Sequence, residues 1–145
     1  MKKWLILVIA VIMIAPVNVR AEAFKSKKEI SPFLKSLSSE MIQGNIKDVF
    51  EKLKPYWPIP GQEVDAIVYQ LENQRNQVMS RFGKILSMEG VEKSFVGDSF
   101  YRETYLVKYE RHAMAWEFTF YKPDDKWIVN SVLTSDQLDG LFREK

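Results

Sequence analysis

The sequence has no cysteine and a single histidine, His112. The first absence excludes disulfides, a thiolate nucleophile and cysteine-ligated metal. The second excludes a metal centre built from several histidines. An excess of one charge is also missing, since 21 Lys and Arg stand against 19 Asp and Glu in 145 residues. Nor is any apolar run long enough to span a bilayer, which takes about 20 residues. The longest runs from Trp4 to Ala15. What remains is 46% hydrophobic and 13% aromatic, too apolar for intrinsic disorder. The length suggests one domain.

Lys2 and Lys3 precede the apolar run and Pro16 ends it. Val19 and Ala21 then place small residues three and one positions before a cut. This is the layout of a secretory signal peptide over 1–21. A cut after Ala23, using Ala21 and Ala23, fits the same rule. An uncleaved anchor is the competing reading, but the run falls short of a span by about a third. No cysteine follows it, which closes the lipoprotein route. Residues 1–21 carry Lys2, Lys3 and Arg20 and no acid, so their removal leaves 18 basic against 19 acidic residues. The basic balance therefore belongs to the leader, and no electrostatic case for nucleic-acid binding survives. The expectation is export to a bacterial periplasm or beyond, a flexible leader over 22–30, and a single domain over 31–145.

Ser31 and Pro32 read as an N-cap and first helical residue, with Phe33, Leu34, Leu37 and Met41 on one face. Gly44 and Asn45 break this helix. Ile46, Val49, Phe50 and Leu53 form the stripe of a second, which Pro55 ends. Three prolines in 55–60 exclude helix there. They leave Trp57 either as a plug at one end of the core or as the rim of a pocket. A long third helix over 62–82 carries Val64, Ile67, Val68, Leu71, Val78 and Phe82 on one stripe, and Gly83 stops it. Arg75 falls in the middle of that stripe. Beyond Gly83 the period changes to two. Strands are expected over 85–96, 100–110, 113–121 and 126–133, joined by short turns and therefore antiparallel. Thr134 and Gln137 suit a capping box for a short last helix.

This order predicts an α+β fold: N-terminal helices packed on a curved four-stranded antiparallel sheet, with a short C-terminal helix. Bent around the long helix, the sheet would enclose a cone-shaped space, open at its wide end as a pocket. The helical pair ending at Pro55, the long helix, Gly83 and the strands resemble the nuclear transport factor 2-like superfamily over about 31–133. The hairpin Tyr121, Lys122, Pro123, Asp124, Asp125, Lys126, Trp127 is similar to the last hairpin of such domains. The short strand expected between the second and third helices is missing, or hidden in 56–61, and a C-terminal helix is added. The resemblance implies the cone and a homodimer through the outer sheet face. It implies no activity, because that superfamily holds both enzymes and binding modules.

No catalytic motif, metal cluster or cofactor motif is recognisable. Arg75 is the anomaly, because a guanidinium keeps its charge and is costly to bury unpaired. It is expected to pair with Glu103, Glu110 or Glu117, to snorkel outward, or to hold the anionic group of a ligand. The pocket candidates are therefore Arg75, Glu103, Glu117, Tyr105 and Trp57. Tyrosines beside a carboxylate can also make an oxyanion site. His112 lies at a hairpin turn, and Asp124 and Asp125 at a proline turn, where each reads as solvated. The leading expectation is an exported non-catalytic binding or interaction domain. Two rivals are a small hydrolase or isomerase acting on a hydrophobic anionic molecule, and a membrane-tethered assembly component.

Overall fold

A computed structural model describes residues 21–142. The expected signal segment therefore lies outside the described residues, Ala21 apart. Among those residues, α1 (Lys27–Ser36), α2 (Ser38–Gln43), α3 (Ile46–Leu53) and α4 (Gly61–Phe82) precede β1 (Ile85–Val96), β2 (Phe100–Tyr109), β3 (Ala113–Tyr121) and β4 (Ile128–Ser135). The strands pair in sequence order and antiparallel throughout. The α+β architecture is the one the periodicities predict.

Alternation along β2 sends Tyr101, Glu103, Tyr105 and Val107 to one face. They stand opposite Phe120, Phe118, Trp116 and Met114 of β3. The helices cover this face, and Leu34, Leu37, Phe50, Leu53, Phe118 and Phe120 are at most 1% exposed in the layer between. Burial of each such side chain contributes about 1.5–3 kcal/mol. Trp57 is buried beside Phe50, with ring centroids 6.3 Å apart. It plugs one end of the core and also borders an open hollow of about 690 Å³ with Pro55, Pro58 and Pro60. Residues 56–61, where a short strand was sought, hold none: Lys54–Tyr56 is a 3-10 turn and irregular chain leads from it to α4.

The N-terminal segment departs from the expected leader. Phe24 is buried, and it exchanges backbone hydrogen bonds of 2.8 Å with Trp127. Helix α1 starts at Lys27, not after Ser31, because Ser26 caps it: Ser26 Oγ accepts from the Lys28 N–H at 3.2 Å. Glu29 reaches back to accept from the Lys25 N–H at 2.8 Å. These local bonds outweigh the cost of Pro32 inside the helix, where it removes one ladder donor. At the other end the expected helix is only a 3-10 turn, Asp139–Phe142. Ser135, not Thr134, accepts from the Gln137 N–H, at 3.0 Å, so no capping box forms.

Helix α4 spans the expected residues, but its apolar stripe is only partly covered. Val64 and Phe82 are buried near its ends, while Ile67, Val68, Leu71 and Val78 are half-buried. The helix packs chiefly on α3, and it is α2 that approaches β1. The middle of α4 therefore has no close layer above it, which decides the fate of Arg75.

Candidate functional site

Arg75 is exposed and forms no ion pair among the described residues. Its guanidinium lies over Gly44, where an ideal Cβ would approach its Nη2 to 2.9 Å. Gly44 also has φ 74°, in the left-handed region that ends α2. The arginine thus rests on a backbone that only glycine leaves open. Beneath it is a small apolar hollow of about 50 Å³, lined by Leu71, Val78, Met79, Ile85, Met114 and Trp116 among others. The expected pairing with Glu103 or Glu117 does not form. Glu117 is on the opposite face of the sheet, 3.1 Å from Arg102, and Glu110 accepts from the Lys84 N–H at 3.0 Å.

The buried carboxylate is Glu103, 2% exposed, and β2 places it between two tyrosines on the helix-facing side. The Tyr101 hydroxyl donates to Oε1 at 2.5 Å and the Tyr105 hydroxyl donates to Oε2 at 2.7 Å. The Ser31 hydroxyl, brought in by α1, also donates to Oε1. Lys93 on β1 gives its ammonium to Ser31 Oγ at 2.8 Å and stands 3.8 Å from Oε1. Burial pushes the Glu103 carboxyl upward. The three hydroxyl donors and the Lys93 charge outweigh it and hold the pKa below the ordinary value. Burial, then the hydrogen bond to Glu103, raises Tyr101 to about 12 and raises Tyr105 as well. The group is a carboxylate kept ionised by neutral phenols, with donors on both oxygens. A general base needs a pKa near the working pH, and Glu103, held by three hydroxyl donors with its pKa below the ordinary value, is poorly suited to that role. Its geometry suits another task, tying α1 and β1 to β2.

Above this network is an open polar cleft of about 400 Å³ between α1 and β1, bordered by Ser31, Lys35, Lys93 and Tyr105. Of the five candidates read from the sequence, Glu103 and Tyr105 meet, while Arg75, Glu117 and Trp57 are each elsewhere. Sequence reasoning missed Ser31, taken for a helix cap, and the partnership of Tyr101 and Lys93 with Glu103. The signal was present for Tyr101, since Tyr-x-Glu-x-Tyr on a half-buried strand puts all three on one face. His112 is exposed, with Nε2 2.9 Å from the Asp136 carbonyl oxygen and its ring 4.6 Å from that of Phe82.

The other face of the sheet has two parts. Its middle shares a hollow with Gln137, Gly140 and Leu141 of the C-terminal segment, and Thr104 and Ala115 there are buried. At one end Val96, Phe100, Tyr121 and Ile128 are successive cross-strand partners. They form an apolar row across all four strands, with Val96 72% exposed and the Phe100 and Tyr121 rings stacked at 4.9 Å. Among the described residues no helix is long and apolar enough to cross a membrane. No group of three or more His, Asp or Glu there could hold a metal ion. No protein-family model, curated protein or solved structure matches the chain.

Proposed function

We propose that this chain is an exported, non-catalytic interaction domain that meets a protein partner through the uncovered end of its outer sheet face. The observation that carries the reading is the row Val96, Phe100, Tyr121 and Ile128, apolar and continuous over four strands, with Val96 exposed and the other three half-buried beyond the reach of the C-terminal segment. Exposed contiguous apolar surface of this kind marks association sites. The three hydroxyl donors on Glu103 support the non-catalytic part, because the carboxylate best placed to act as a base helps to hold α1, β1 and β2 together. Export rests on the leader pattern of residues 1–21. The order of helices and strands supports kinship with the nuclear transport factor 2-like superfamily and its cone.

The test is site-specific photo-crosslinking in the exporting cell. A benzophenone side chain at Val96 is expected to give one discrete adduct. The same group at Tyr69, 69% exposed on α4, is expected to give none. Absence of an adduct from position 96, or equal smears from both, would remove the reading.

A second reading has its own observation: an arginine without an ion pair among the described residues, resting at the mouth of an apolar hollow. That arrangement fits a small amphiphilic anion, its head on Arg75 and its tail between α4 and the sheet. Titration with butyrate, whose short tail suits so small a hollow, followed by tryptophan fluorescence because Trp116 lines it, should then saturate. The change should be lost in Arg75→Gln. An unsaturable or unaltered signal would dismiss the ligand.

A further inference from the structure

A four-stranded open sheet has two edges, and this one protects them unequally. The β1 edge carries two register irregularities, near Leu86 and Val91, and charges at Glu89, Glu92 and Lys93. Bulges and charges are the devices by which natural sheets reject further strands. The β4 edge has almost none of them. Its sequence, Ile128–Ser135, contains no charged residue and no proline, and Ile128, Val129, Val132 and Thr134 are β-branched. Its single irregularity, between Val129 and Ser131, lies toward the end that Phe24 already closes through Trp127. Past that point nothing among the described residues bonds to the outer side of the strand. The C-terminal segment leaves β4 toward β1 and β2, where it shares a hollow with Ser94 and Thr104.

The direction of each backbone group follows from two bonds. The Lys122 N–H goes to the Ser99 carbonyl at 2.8 Å, so Lys122, Phe120 and Phe118 point their backbone groups to β2, and Tyr121, Thr119 and Glu117 point theirs to β4. Their partners Ile128, Ser131 and Leu133 therefore bond inward to β3. Trp127, Val132 and Thr134 present N–H and C=O to the free side, and at Trp127 the Phe24 backbone takes them. Leu133, between the two unpaired positions, turns its side chain to the outer face and is 54% exposed.

We propose that the β4 edge pairs with the β4 edge of a second copy, antiparallel about a two-fold axis at Leu133. In this register Val132 of one copy exchanges backbone hydrogen bonds with Thr134 of the other, and the reverse. Ser131 faces Ser135, and each Leu133 covers its counterpart. Residues that share a face in one chain share it across the axis, so the sheet continues unbroken from copy to copy. The occupant is a second copy because the strand is its own complement: it has no charge to repel itself, and its one exposed aliphatic side chain falls on the axis. The same operation on β1 would bring charges together beside a bulge. This assembly is independent of what binds the apolar row on the outer face.

Absence of cysteine makes a direct test available. Leu133→Cys supplies one thiol per chain, at a non-hydrogen-bonded position where facing Cα atoms stand about 4.5 Å apart, within disulfide reach. Mild oxidation is expected to convert it to a covalent dimer much faster than Leu86→Cys, an exposed position on β1. Light scattering of the unmodified chain should show a concentration-dependent dimer. Leu133→Lys, which sets two ammonium groups face to face and loses the apolar contact, should raise its dissociation constant about tenfold or more. Exposure of Leu133 keeps the fold itself out of the result, and circular dichroism checks that. A unmodified chain monomeric to its solubility limit, equal oxidation rates at 133 and 86, or an unweakened Leu133→Lys dimer would each overturn the proposal.

Discussion

Replacing Glu103 by alanine is expected to destabilise the fold by about 3–5 kcal/mol, because two buried tyrosine hydroxyls and a half-buried serine lose their acceptor together. Ser31, Tyr101 and Tyr105 all donate to this carboxylate. Against a total stability of about 5–15 kcal/mol, such a loss is a large share of what holds the fold. Glu103→Gln keeps one acceptor oxygen but turns an N–H2 toward a donor, so a smaller loss of about 1–3 kcal/mol is expected. Urea unfolding of both variants checks the order. A Glu103→Ala chain within about 1 kcal/mol of the parent would show that the network contributes little.

The same network sets two pH limits of opposite sign. The Glu103 carboxyl is held below its ordinary value of 4.5. Its contribution is therefore fully present above that value and disappears as pH falls through the depressed one. The phenols behave in reverse. Tyr101 is raised from 10.0 to about 12, so the unfolded chain releases this proton first. Stability should hold up to about pH 10 and then fall between 10 and 12. Glu103→Gln should lose that part of the acid limb. The alkaline limb should stay, moved to lower pH, because burial is the larger cause of the tyrosine shift and the carboxylate only the second. A pH series of urea midpoints resolves the two limbs.

The two features that sequence weighed most differently, Arg75 and Glu103, explain how far a sequence of this kind can be read. Strand periodicity found the sheet, its order and the face that carries Tyr101, Tyr105 and Val107, since a period of two leaves a residue only two directions. By the same rule Glu103 was the odd member of that face, and it proved to be the buried charge. On α4 the wheel angle places Arg75 on the apolar stripe, and of its expected outcomes the ion pair fails while the outward one is what the structure shows. An angle says which way a side chain points, not how near the opposing layer comes. Here the middle of α4 is only half-covered, so an arginine in its apolar stripe reaches solvent. Ser31 could not be found at all, because its partner is 72 positions away and only the docking of α1 on the sheet joins them. The start of that helix was misplaced because Ser31–Pro32 is a good local opening; Ser26 with Glu29 was another one, and Phe24, anchored in the core, selected it.

Phe24→Ala is accordingly expected to be as damaging as a substitution at the centre of the sheet, about 3–5 kcal/mol. The ring is 5% exposed. It stacks on Tyr56 with centroids 4.3 Å apart, tilts against Phe33 at 5.1 Å and meets Phe120 edge-on at 5.8 Å. It therefore joins α1, the turn after α3 and β3 at one point. Its backbone adds a second tie through Trp127, and the Glu22 N–H adds a third, to the Pro55 carbonyl at 2.7 Å. The alanine variant keeps the backbone ties and loses only the ring, so thermal unfolding of Phe24→Ala reports the aromatic cluster alone. A chain starting at Lys25 loses both and should unfold at a still lower temperature. This ordering also bears on the two candidate cleavage points. A chain cut after Ala21 keeps every tie, with its new ammonium on exposed Glu22, whereas a cut after Ala23 puts that charge on buried Phe24, where desolvation opposes it. A chain beginning at Phe24 should therefore unfold at a lower temperature than one beginning at Glu22, and a Phe24→Ala chain as stable as its parent would mean that the N-terminal segment is an ornament on a fold complete without it.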